Sequence, residues 1–227
     1  MTFLEKFTES ESRALSQLVA TKLDAEMRTL RSQANSSFTA RRRWGWELLQ
    51  NAKDVHQGSG VDVEVHYDQT GNALFFRHSG KPFTADNIRF LIEQISSKDR
   101  GVDETGLRRQ TGRFGTGFLS THLLSELVHV TGVAEEPGYG RKQFSFTLDR
   151  SGTSPDKFTA AVENAKRSVQ SLDASPDLPT YDPTALNTVF QFTLSDALSH
   201  QVATEGIADL NQSLPYTFIF VPEVNSV

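Results

Sequence analysis

At Gly58-Ser59-Gly60 the hydrophobic period of the chain changes, and that switch constrains the fold more than any other feature. Before it, Trp44, Leu48, Ala52 and Val55 recur at helical spacing and form one apolar stripe. After it, Val61, Val63, Val65 and Tyr67 alternate with Asp62, Glu64 and His66, the pattern of a half-buried strand. The helix can pack its stripe on a sheet while Glu47, Asn51 and Asp54, at i, i+4 and i+7, line its margin. A glutamate can take a proton from water, and an asparagine carbonyl one turn on can ligate a hard cation such as Mg²⁺. A solvated polar face would use the same three residues.

The remaining periodicity extends this pattern. Residues 10–32 read as a polar amphipathic helix with Leu15, Leu18, Val19, Leu23 and Met27 on one side. Arg41-Arg42-Arg43 then leads into the second helix, either as a solvated helix start or as a holder of phosphate or an acidic partner. Asp68-Gln-Thr-Gly-Asn72 is a turn, and Ala73–Arg77 returns as a strand, most simply in a hairpin. Thr84 can cap a helix running to about Ile95, with Phe83 and Ile88 as a hydrophobic staple. Residues 96–111 are polar, carry both charges and have no period, which marks a functional segment more than packed structure. Beyond them we expect a helix at 119–127, strands at 128–134 and 143–148, and a helix at 156–172. A strand at 188–194, a helix at 196–214 and an apolar strand beginning at 218–222 complete the reading.

Composition narrows the function classes. A net charge of −5 does not indicate a general affinity for nucleic acid. Without cysteine there is no disulfide, thiolate catalysis or Cys-ligated zinc. The opening Met1-Thr-Phe-Leu-Glu-Lys6 does not read as a signal peptide, and no apolar run approaches the roughly 20 residues of a membrane span. The expectation is a cytoplasmic protein with no membrane partner. Residues 1–40 are expected to form a helical segment, 41–215 a ligand-binding domain, and 216–227 the start of a linker or further domain in a longer protein.

A second motif changes the weight of the first. Gly112-Arg113-Phe114-Gly115-Thr116-Gly117-Phe118 leads directly into an apolar helical stretch. Such spacing lets backbone amides approach an anion at a helix start. It follows no strand and lacks a Gly-Lys-Ser/Thr ending, so neither a Rossmann nor a Walker reading fits. In order, the chain carries a Glu/Asn helix, a strand ending in His78-Ser79-Gly80, a polar stretch with Ser96-Ser97-Lys98, and the glycine motif. From Trp44 to Thr131 this resembles the GHKL superfamily, which includes DNA gyrase, the ninety-kilodalton heat-shock chaperone, histidine kinases and MutL. His78-Ser-Gly-Lys-Pro-Phe83 together with Gly112–Phe118 is most similar to the sacsin and heat-shock-chaperone-like branch.

The resemblance implies a Bergerat fold: an α/β two-layer sandwich with a mixed, mostly antiparallel sheet, helices on one face, and an ATP lid. It implies Mg²⁺-dependent ATP binding with slow hydrolysis that drives lid closure, conformational change or homodimerisation. Glu47 would activate the attacking water and Asn51 would hold Mg²⁺. Asp54 would support the nucleotide side of the pocket, and Lys98 would approach the terminal phosphates. The backbone of Gly112, Arg113, Phe114, Gly115, Thr116, Gly117 and Phe118 would wrap the phosphates, with Gly80 keeping the turn. The sequence departs from the family at His78, where an Asp usually accepts the adenine amino group, and at Pro82, usually a second glycine. Only a neutral imidazole can take over that acceptance. Asp86 or a water are the other candidates.

Three competing functions follow. Histidine kinases keep the Asn but typically lack the Glu, so Glu47 argues against phosphotransfer to an imidazole. A degenerate nucleotide scaffold is opposed by Glu47, Asn51 and the glycine motif, and left open by His78 and Pro82. A nucleic-acid-associated, MutL-like ATPase would use Arg100, Arg108, Arg109 and Arg113, which serve equally well for nucleotide phosphates.

Overall fold

The computed structural model describes residues 2–34, 36–56, 58, 60–94 and 117–227. Two helices, α1 (Phe3–Ala34) and α2 (Phe38–Asp54), precede the hairpin β1 (Val61–Asp68) and β2 (Ala73–His78). Helix α3 (Ala85–Glu93) follows, then a 3₁₀ turn at Phe118–Leu123 and the long hairpin β3 (Leu127–Glu136) and β4 (Gly140–Asp149). Helix α4 (Pro155–Gln170), β5 (Thr188–Thr193), α5 (Ala197–Phe220) and β6 (Val224–Ser226) complete the chain. The strands form one mixed sheet in the order β4-β3-β5-β2-β1-β6. Among the described strand ladders only β1–β6 is parallel, and an isolated parallel bridge joins Phe83 to Ala134 of β3.

The sheet buries one face. Val61 and Val63 of β1, Leu74, Phe76 and His78 of β2, Phe190 and Phe192 of β5, Val128 and Val130 of β3 and Phe144, Phe146 and Leu148 of β4 are all buried. Their neighbours on the other face, including Glu64, His66, His129, Ser145 and Thr147, are exposed. This is the two-residue alternation expected of a sheet with helices on one side and water on the other. Helix α2 lays Trp44, Leu48 and Ala52 into the core, each with no accessible surface. Trp44 Nε1 donates to the Val202 carbonyl of α5 at 3.0 Å, and Trp46 Nε1 donates to Asp209 at 2.7 Å. Burying an indole requires such a partner for its N–H.

Local signals predict α3 well. Thr84 and Asn87 form a reciprocal capping box, and the staple pair Phe83 and Ile88 are both 2% exposed. Three expectations are corrected. In α1 the buried face is Ser16, Val19, Ala20, Leu23 and Met27, whereas Leu15 and Leu18 are exposed. The stretch 119–127 is not a helix: after the 3₁₀ turn, Ser125 Oγ donates to the Leu127 carbonyl and accepts from its N–H, which ends the helical ladder. Residues 218–222 do not begin a strand, because α5 continues past Pro215 to Phe220 and β6 forms only at Val224–Ser226, beside β1.

Among the described residues no helix is long and apolar enough to cross a membrane.

Candidate functional site

Helix α2 supplies the polar stripe, and two other elements meet its ends. Glu47, half-buried, points its carboxylate at the backbone of Gly117. A Cβ at position 117 would lie 2.8 Å from Glu47 Oε1 and closer still to Oε2, so a side chain there would push the carboxylate out of this position. Arg43, one turn earlier, donates from Nε to Glu47 Oε1 at 2.7 Å. Asn51 is 6% exposed, and its Nδ2 finds no hydrogen-bond partner. A buried polar group left without a partner costs about 1–3 kcal/mol, so an amide held this way calls for a ligand or water. Asp54 ends the stripe, half-buried.

The C-terminal end of α2 rests on the turn after β2. Lys81 N donates to the Val55 carbonyl at 2.9 Å, and Gly80 stands at φ +128° with its Cα so near Val55 that a Cβ would lie 2.6 Å from that carbonyl oxygen. The Gly80 amide donates to Pro183, and its carbonyl accepts from Tyr181 Oη at 2.5 Å. Ser79 is tied to β1 twice, its N donating to Asp62 O and its Oγ accepting from Asp62 N, both at 2.9 Å. Turn, strand and helix end are therefore one rigid unit.

His78 is 2% exposed and lies on the core face of β2, stacked on Phe190 with a centroid separation of 6.2 Å. Phe190 also meets Phe118, the residue after Gly117, at 5.5 Å. The glycine motif's last residues and His78 are thus joined through a single ring. His78 Nδ1 lies 2.8 Å from the Ser79 carbonyl. A carbonyl only accepts, so Nδ1 carries the proton and Nε2 presents a lone pair. Burial, partly opposed by the Ser79 bond, lowers the ring's pKa from 6.5 to about 4. The imidazole is neutral at pH 7, the state in which it can receive an amino proton.

That burial has a measurable consequence. Below pH 6.5 the unfolded chain binds a proton at His78 that the folded chain refuses. Stability is complete above the unfolded value and falls as the pH drops toward 4. Between pH 7 and 5, His78 alone should cost about 2 kcal/mol. His122, pushed well below its usual value by burial and by the Arg150 charge, acts with the same sign. Urea midpoints at pH 7 and pH 5 measure the drop, and equal midpoints would contradict a buried neutral His78.

Lys98, Gly112, Arg113, Phe114, Gly115 and Thr116 lie outside the described residues, as do Arg100, Arg108 and Arg109. Asp86 sits at the exposed start of α3 and pairs with Arg89 at 2.8 Å. Two of the three consecutive arginines are held by acids of α5, Arg41 by Glu205 and Arg42 by Asp209. Arg43 alone of the three turns to Glu47; the i, i+4 spacing of this pair was its only trace in the sequence. No group of three or more His, Asp or Glu side chains is placed to hold a metal ion among the described residues. The chain matches no protein-family model and no curated protein.

Proposed function

We propose that this chain is a Mg²⁺-dependent ATP-binding and slowly hydrolysing domain of the GHKL type. The contact between Glu47 and Gly117 carries the reading. It unites the catalytic end of one motif with the last glycine of another, 70 positions apart by their residue numbers. Around it, the buried Asn51 amide is available to a ligand, and the neutral His78 can accept one hydrogen bond at Nε2.

In this reading Glu47 accepts the proton of the attacking water as its oxygen bonds to the terminal phosphorus of ATP. The bond to the bridging oxygen breaks, and ADP leaves with that electron pair. Asn51 would hold Mg²⁺ through its side-chain carbonyl, and the ion would supply charge neutralisation at the phosphates while needing few protein ligands. Gly117, having no side chain, leaves space for the Glu47 carboxylate where phosphate and base would meet. His78 takes the place of the carboxylate that ordinarily selects adenine, with Asp54 supporting the nucleotide side of the pocket. The output is a conformational change, with a second copy or a further domain as the responding body.

Calorimetric titration of ATP, ADP, GTP and AMP, with and without Mg²⁺, tests the proposal. Adenine-selective binding that strengthens with Mg²⁺ is expected, and Asn51→Ala should weaken Mg-ATP binding by about tenfold, the loss of one good ligand interaction. Equal binding of ATP and GTP would remove His78 from base recognition. Failure of every nucleotide to bind would refute the function.

A further inference from the structure

We infer that Arg43 is the positioning residue of Glu47; the inference rests on the ATPase reading above. Three observations converge on it. Arg43 Nε holds Glu47 Oε1 at 2.7 Å, while the rest of that carboxylate lies against the Gly117 backbone. The base is thus bounded on two sides, by a guanidinium that holds one oxygen and by the glycine backbone beside the carboxylate. Arg41 and Arg42 cannot substitute, because Glu205 and Asp209 hold them on α5. Finally, Arg43 supports little else: its side chain is 58% exposed and forms a wall of a cavity of about 390 Å³ between α1, α2 and the 3₁₀ turn.

A long carboxylate side chain at the margin of a helix has several rotamers, and only some aim at a given point. Fixing one oxygen through a planar, always-charged donor removes most of that freedom before substrate arrives. Among the described residues the other charged group lining the cavity is Glu26 of α1. On the 3₁₀ turn, His122 is engaged elsewhere, with Gln94 and the Ser125 carbonyl. Arg43 is therefore the cation of α2 that sets the aim of Glu47. In this proposal it acts through the base.

The test compares the full chain with Arg43→Ala, Arg43→Lys, Glu47→Ala and the double variant Arg43→Ala/Glu47→Ala by steady-state ATP hydrolysis. Arg43→Ala should lower kcat about tenfold with KM for ATP and the thermal midpoint unchanged, and Arg43→Lys should recover part of the loss. In the Glu47→Ala background the same arginine substitution should have no further effect, because effects transmitted through one residue are not additive. An active chain whose kcat is unaffected by Arg43→Ala would overturn this inference and leave the ATPase reading standing. A fall in kcat that persists undiminished without Glu47 would also overturn it. A chain that does not hydrolyse ATP at all would overturn both.

Discussion

Glu47→Ala is expected to keep Mg-ATP binding and to lose hydrolysis by about 10²–10⁴-fold, the usual contribution of a positioned general base. The fold should tolerate the change. Among the described residues the ion pair of Glu47 is to the largely exposed Arg43, and such pairs contribute roughly 0–1 kcal/mol. Glu47→Gln provides the sharper control. It preserves the shape against Gly117 but cannot take a proton, so it should lose turnover as fully as alanine does. Phosphate release measured beside calorimetric binding would separate the two steps. Wild-type turnover in either variant would remove Glu47 from the mechanism.

The second large effect concerns stability. Arg150 has no accessible surface, and its guanidinium donates from Nε to Gln94 Oε1 at 2.9 Å, from NH2 to the Ile92 carbonyl at 2.6 Å and from NH1 to the Asp149 carbonyl at 3.0 Å. Gln94 Nε2 in turn donates to His122 Nε2, and His122 Nδ1 donates to the Ser125 carbonyl. Every donor in this chain of bonds has one direction available. Burial lowers the arginine from its usual value to about 10, against the opposing pull of Asp149, and so it is still charged at neutral pH. Arg150→Ala would strand buried acceptors at about 1–3 kcal/mol each and open a cavity, for a loss of roughly 3–5 kcal/mol. Chemical denaturation would show this as a lower midpoint. A midpoint within the range of ordinary surface substitutions would mean that the network relaxes around the gap.

Local patterns in the sequence expose much of the fold. The alternation in β1, the Asp68–Asn72 turn, the Thr84 cap and the long β3–β4 pair all depend on neighbours a few residues apart, and these elements form where expected. The helix expected over 196–214 instead runs on through Pro215 to Phe220, although proline more often ends a helix than continues one. The apolar run after it suggested a buried strand, but Tyr216, Ile219 and Phe220 are exposed, so hydrophobicity there does not report burial. In the candidate site, Glu47 and Asn51 were legible from helical spacing. The meeting of Glu47 with Gly117 was not, since no spacing rule spans that separation. The Arg150–Gln94–His122 chain was invisible for the same reason: the three partners lie far apart in sequence, and no short spacing connects them.

The strand order has a consequence for how the chain assembles. Hairpins β1–β2 and β3–β4 are each built from neighbouring segments, but β5 lies between them and contacts both β2 and β3. Until Thr188–Thr193 is in place, no hydrogen-bond ladder links the two hairpins among the described residues. Their apolar faces include Phe76, Val130 and Phe146, which then have no shared core. Loop closure across more than a hundred residues precedes the contacts that reward it, and the topology therefore favours a late, cooperative completion of the sheet.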